Sequence, residues 1–197
     1  FAETGFRGTS LNSIALACGV GNAGALYHFA SKEKLYKAVL QRLGDDLERD
    51  LQSIQASRGT AGERLRLALR HQAGGVAREP QRNRLTLREL MDNLGRVERA
   101  KSFPLRRWVA GFCVLIEAAQ AEGAAAAGPA IVLFAQYLGA LAYGLAVRPT
   151  FARMAMAPGL LDDERRWIAA VAASAEQALL GDKRPAETGM EFGRDVP

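Results

Sequence analysis

Cysteine and histidine are scarce in this 197-residue chain, with two residues of each. Cys18 and Cys113 both stand in apolar helical contexts and read as small core residues, with redox sensing the lesser alternative. Two such cysteines exclude a disulfide framework. His28 and His71 have no metal-ligand spacing around them and no nucleophile constellation, so no catalytic residue, metal site or cofactor is expected. No run of alternating polar and apolar residues marks a strand, and no glycine-rich loop of the nucleotide-binding kind occurs. A signal peptide is also lacking, which makes a cytoplasmic location the default expectation.

What remains is a helical, mildly basic sequence. Lysine and arginine number 26 against 21 aspartates and glutamates, a formal charge of +5. That excess suits an anionic partner but does not identify one. Its distribution is more telling, since residues 1–43 carry Arg7, Lys32, Lys34, Lys37 and Arg42 against Glu3 and Glu33, a net +3. The pairs Arg106-Arg107, Arg165-Arg166 and Lys183-Arg184 read as solvated faces. An architectural DNA binder would want a larger excess over more of the surface.

The N-terminal stretch holds most of the pattern. Thr9 or Ser10 offers a hydroxyl N-cap, and Leu11, Ile14, Ala15 and Cys18 recur on one helical face. Gly19 suits a left-handed C′ position, and Val20 reads as the apolar plug of the turn. A second helix is expected from Asn22 to Phe29, unusually small-sided at Gly21, Asn22, Ala23, Gly24 and Ala25. Such a bare first turn suits a helix lying against a groove floor. Ser31 then caps a third helix, with Lys32 in its first turn, where the helix dipole favours an anion beside it. Two short helices around a tight glycine turn form the layout of a helix-turn-helix DNA reader.

These residues resemble the TetR family of bacterial transcriptional regulators. The resemblance rests on Gly5-Phe6, Thr9-Ser10, Ile14-Ala15, Ala17, Gly19-Val20, Tyr27-His28-Phe29, Ser31-Lys32 and Leu35-Tyr36. It covers about residues 1–43, and Leu87-Arg88-Glu89-Leu90 adds a weaker cue. It implies an all-α protein with an N-terminal helix-turn-helix DNA-binding domain (1–43), helix 1 being mostly missing because a full helix normally ends at the position of Phe1. A C-terminal helical effector-binding and dimerisation domain (44–180) and a mobile tail (181–197) would follow. It also implies that Thr9, Tyr27 and Lys32 touch DNA phosphates, with Ser10 in the same set. The first turn, Gly21, Asn22, Ala23 and Gly24, would face base edges, and His28 either a base or the backbone. Asn22 is the side chain there able to pair bidentately with adenine. Gly21 and Gly24 depart from the larger residues usual in the family. Against these roles stand plainer ones: Phe29 and Tyr27 as core, and Lys32 as an exposed charge.

The rest reads as helices from Ser31 to Ile54, Glu63 to Val76, Gln81 to Met91, Pro104 to Glu122, Ala130 to Val147 and Asp162 to Leu180. Gly59, Gly74-Gly75, Pro80, Gly128-Pro129, Pro149 and Pro158-Gly159 are the expected breaks. Ala130–Val147 nears the length of a membrane span, but its Ala and Gly content fits better a helix buried by a partner subunit. With the apolar stripe of 162–180 it is expected to build a homodimer, with no membrane contact. The resemblance also implies an effector pocket. Phe103, Trp108, Phe112, Phe134, Tyr137 and Tyr143 are candidate apolar walls, and His71, Arg88, Glu89, Gln120 and Gln136 candidate polar anchors, each also readable as core or solvated face. The expectation is therefore a dimeric repressor of double-stranded operator DNA, released by a small, mostly apolar effector. The alternative is a helical small-molecule-binding or enzymatic protein with a vestigial helix-turn-helix.

Overall fold

The computed structural model describes residues 1–21, 24, 27–91, 103–154 and 156–181. Among them eight helices are bounded: α1 (Gly5–Gly8), α2 (Leu11–Ala17), α3 (Lys32–Gln55), α4 (Ala61–Arg78), α5 (Pro80–Met91), α6 (Arg106–Ala121), α7 (Ala130–Arg153) and α8 (Glu164–Leu180). No strand occurs among the described residues, so the all-α expectation holds. The expected tail falls outside the described residues beyond Gly181.

Capping chemistry sets most helix starts. Ser10 and Ser13 close a reciprocal capping box on α2, and Thr60 and Glu63 do the same on α4. Ser31 accepts from the Lys34 amide at the start of α3, and Asp163 from the Arg165 and Arg166 amides at the start of α8. Gly19, at φ +68°, ends α2. Its N–H donates to Leu16 O and that of Val20 to Ala15 O, the paired bonds of a Schellman stop.

Packing follows the helical period. Leu40, Leu43, Leu47, Leu51 and Ile54 form the buried stripe of α3 against Leu65 and Leu69 of α4 and the aromatic trio Trp108, Phe112 and Phe134. Those rings meet at centroid distances of 4.5–5.6 Å, within the range of favourable aromatic pairs. Gly44 is required where α3 passes the Pro104 carbonyl, since a Cβ there would overlap backbone. The Tyr137 hydroxyl donates to Leu69 O at 2.6 Å, tying α7 to α4. Burial pushes the Tyr137 phenol well above its ordinary pKa, with Glu176 adding to the shift.

Several expected breaks do not break. α4 runs through Gly74-Gly75 to Arg78, because tertiary packing offsets the roughly 1 kcal/mol that a helical glycine costs. α7 continues past Pro149 to Arg153. Proline removes one amide donor and disturbs one turn, and the helix resumes beyond it, with Met154 N bonded to Thr150 O. Arg148 also anchors this end, donating to Leu161 O and Glu164. Pro104 lies ahead of α6 rather than in its first turn. The expected domain boundary after residue 43 falls inside α3, one continuous helix from head to body. Cys18 and Val20 are exposed rather than core and plug, because the Schellman turn carries both to the end of α2.

Candidate nucleic-acid interface

The head is built around three rings. Phe1 and Phe6 pack on Tyr36 of α3 at 4.8 and 5.0 Å. The Lys32 Nζ lies 4.4 Å from the Phe6 centroid and donates to Thr9 O at 3.0 Å. One cation thus joins α1, the link to α2 and the start of α3, through a cation–π contact and a hydrogen bond.

Thr9 is also turned inward. Its buried hydroxyl donates to Gly5 O at 2.7 Å and shares a 2.7 Å bond with the Thr4 hydroxyl. The expectation of Thr9 as an open phosphate ligand is therefore corrected: its Oγ1 is spent inside the head. Lys32 is corrected in part, being neither a free nor a fully exposed charge, although an ammonium carries three donors.

The outward groups are different. Tyr27 is 86% exposed, which corrects the core alternative for it, and its ring meets the exposed His28 edge-on at 5.3 Å. Ser10 and Gly21 are exposed, Gly24 is half-buried, and Gly24, Tyr27 and His28 are helical. Phe29 is only half-buried. Asn22 and Ala23 lie outside the described residues. The structure thus leaves Ser10, Gly21, Tyr27 and His28 exposed and turns Thr9 and Lys32 inward on the head. Arg7, Lys34 and Lys37 are further exposed cations that motif matching passed over, although their charges are plain in the sequence.

The head is tied to α5 at four places. The Tyr36 hydroxyl donates to Glu89 at 2.6 Å, Arg88 donates to Glu3 O at 3.2 Å, Gln81 donates to the Glu3 carboxylate at 3.1 Å, and Arg88 packs beside Gly5. Arg88 and Glu89 therefore serve this joint, and neither is among the residues lining the cavity described next.

The candidate effector residues are divided rather than gathered. His71, Trp108 and Phe112 border a cavity of about 210 Å³ between α3, α4, α5 and α6. Its polar wall includes Asp50, Gln72, Arg82, Asn83 and Thr86, which composition alone did not single out. Phe134 instead borders an apolar cleft of about 290 Å³ with Leu87, Leu90, Met91, Val109 and Leu138. Arg88 opens on a third depression beside Pro149. The Tyr137 ring is buried and its hydroxyl spent, whereas Tyr143 is 66% exposed and away from the cavity. Gln120 holds the α6–α7 loop through Ala126 O and Gly128 O, and Gln136 lies in the α7–α8 groove. Among the described residues no cluster of metal-ligating side chains occurs.

The family profile for bacterial regulatory proteins of the tetR family matches residues 1–39. The likeness to that family is carried by this N-terminal segment. Over 45 residues the chain is 49% identical to the HTH-type transcriptional regulator RutR of Escherichia coli K12, and equally to that of Shigella flexneri. Those matches cover 23% of this chain and 21% of RutR, so the chain spans about a fifth of the relative it matches. The whole chain has the TetR fold. AibR, solved in complex with isovaleryl coenzyme A and operator DNA, superposes at a TM-score of 0.62 with 21% identity, over 91% of each chain. A TetR/AcrR-family regulator from Thermobifida fusca gives 0.56 at 23% identity, over 94% of this chain and 92% of that one.

Proposed function

We propose that this protein is a sequence-specific DNA-binding transcriptional regulator, acting as a cytoplasmic dimeric repressor that a small, mostly apolar ligand releases from its operator. The observation that carries this reading is the exposed, edge-on ring pair Tyr27–His28, with the Thr9 hydroxyl spent inside the head and Lys32 anchored to Thr9 O. Ser10, Tyr27, His28 and a remaining Lys32 donor take phosphates, which fix orientation. Gly21, Asn22, Ala23 and Gly24 meet base edges, which carry the sequence.

Release works through α5. One side of this helix borders the apolar cleft through Leu87, Leu90 and Met91, and its residues Gln81, Arg88 and Glu89 hold the head. A ligand that displaces α5 therefore changes the head angle in each protomer. A dimer reads half-sites about 34–36 Å apart, so a small rotation misaligns both heads, and a tenfold loss of affinity needs only about 1.4 kcal/mol of coupling.

The partner surface is the α7–α8 pair. α7 is a 24-residue apolar helix, long enough to cross a membrane, with only a third of its most apolar window buried within the protomer. A second copy of this chain covers it in this reading, and the groove between α7 and α8 supports that. The alternative, a helical small-molecule-binding or enzymatic protein, finds support only in the cavities.

Selection of genomic fragments on the purified protein, followed by footprinting, tests the proposal. An inverted repeat should be protected. Tyr27→Ala should weaken every site alike, Asn22→Ala should relax one base position, and Lys32→Met should reduce the salt slope by about 0.9. Failure to enrich any sequence would favour the alternative.

A further inference from the structure

Helix α8 borders two separate grooves. Trp167, Ala170, Val171 and Ser174 line the one shared with α7, whereas Arg165, Ile168, Ala172, Ala173 and Glu176 line another, of about 610 Å³, shared with α4. The floor of this second groove is apolar, with Ile168 and Ala172 buried and Ala73 and Leu180 half-buried. Benzene fills a cavity of roughly 150 Å³, so the groove has room for more than one large side chain.

Its rim is cationic. Three guanidiniums, those of Arg66, Arg70 and Arg165, border it against one carboxylate, that of Glu176. Arg70 donates to both Glu176 oxygens at 3.1 Å, and the Arg66 Nε lies 3.4 Å from one of them. A guanidinium carries five N–H donors, so both arginines keep donors beyond those spent on Glu176.

The chain itself leaves α8 at this groove. Leu180 and Gly181 border it, and Gly181, at φ +74°, ends the helix. Residues 182–197 lie outside the described residues. Their sequence holds Glu187-Thr188-Gly189-Met190-Glu191-Phe192, two carboxylates and two large apolar side chains with no cation among them. At 1.5 Å per residue the helix covers about 24 Å from Gly181 back to Arg165. Extended chain from Gly181 to Phe192 spans about 36 Å. The whole groove is therefore within reach.

We propose that the segment Glu187–Phe192 docks in the α4–α8 groove of its own protomer, Met190 and Phe192 covering the apolar floor and Glu187 and Glu191 pairing with the arginine rim. Apolar burial supplies most of the attraction, because exposed ion pairs contribute little. The tether raises the segment's effective concentration at the groove, so modest contacts suffice. Docked there, the segment braces α4 against α8. The inference stands apart from the DNA-binding reading and from the α7–α8 interface, which uses other residues of α8.

Cleavage by a glutamate-specific protease tests it, read by mass spectrometry at the Glu187–Thr188 bond in the full chain and in a synthetic peptide of residues 182–197. The full chain should be cut at least tenfold more slowly than the peptide, because cleavage follows the population of the open segment. The rate constant should not depend on protein concentration. Two variants then locate the contact. Ala173→Glu puts a carboxylate into the groove at an exposed helical position that glutamate suits. Met190→Ser combined with Phe192→Ser removes the apolar anchors and leaves the helices untouched. Each should return the rate to that of the matching peptide, with helical circular dichroism unchanged. A full-chain rate equal to the peptide's would leave the groove to another occupant and end the proposal. Protection that survives either variant, or that fades on dilution as docking on a second copy would, overturns it equally.

Discussion

Tyr36 and Glu89 meet in a buried hydrogen bond of 2.6 Å, the Tyr36 hydroxyl donating to the Glu89 carboxylate across 53 residues of sequence. Tyr36 also carries the Phe1 and Phe6 rings. The same side chain therefore completes the head core and fixes it to α5. A hydrogen bond to a charged acceptor contributes about 1.5–3 kcal/mol. Tyr36→Phe keeps the ring packing and removes this bond. It should lower the unfolding free energy by that amount in urea titration, with the helical circular dichroism unchanged. A loss near zero would mean that the bond does not hold head to body.

The periodic features of this fold were readable in advance. The α3 stripe Leu40, Leu43, Leu47 and Leu51 and the caps at Ser31 and Thr60 follow from local rules that packing reinforces. Helix ends were less readable. Gly74-Gly75 and Pro149 carry real local penalties, but neighbouring helices offset them, and such neighbours are invisible in a window of ten residues. Side-chain direction was the least readable. Thr9 and Lys32 match a motif by position, yet both turn inward because Phe6 and Gly5 offer partners there. Arg82 went unnoticed for a similar reason, since its partner Asp50 lies 32 residues away on another helix.

The two cysteines should differ sharply in reactivity. Cys18 is exposed at the end of α2. Burial pushes the Cys113 thiol above its ordinary range, and Glu117, one turn along α6, adds to the shift. The thiolate is the nucleophile, so a raised pKa leaves less of it at a given pH, and the rate climbs as pH rises toward that pKa. Iodoacetamide at neutral pH should modify Cys18 well ahead of Cys113, with Cys113 gaining as the medium turns alkaline. Peptide mapping by mass spectrometry reads both sites. Equal rates at neutral pH would contradict the environment described for Cys113.

The dimer proposal can be separated from mere unfolding by choosing two alanines of α8. Ala170 is exposed in the protomer and lines the apolar groove with Leu133, Ala140 and Val171, whereas Ala172 is 8% exposed and belongs to the protomer's own core. A charge in the groove costs nothing to a lone protomer but must be desolvated, without a partner, when a second copy closes over it. Ala170→Arg should therefore give a folded monomer with wild-type circular dichroism, and Ala172→Arg an unfolded or aggregated chain. Sedimentation velocity at micromolar concentration distinguishes these states. The unmodified chain should sediment as a dimer and show a Tm that rises with protein concentration, as linkage between folding and association requires. An unmodified chain that sediments as a monomer, or an Ala170→Arg variant as firmly dimeric as its parent, would remove the α7–α8 groove as the subunit interface.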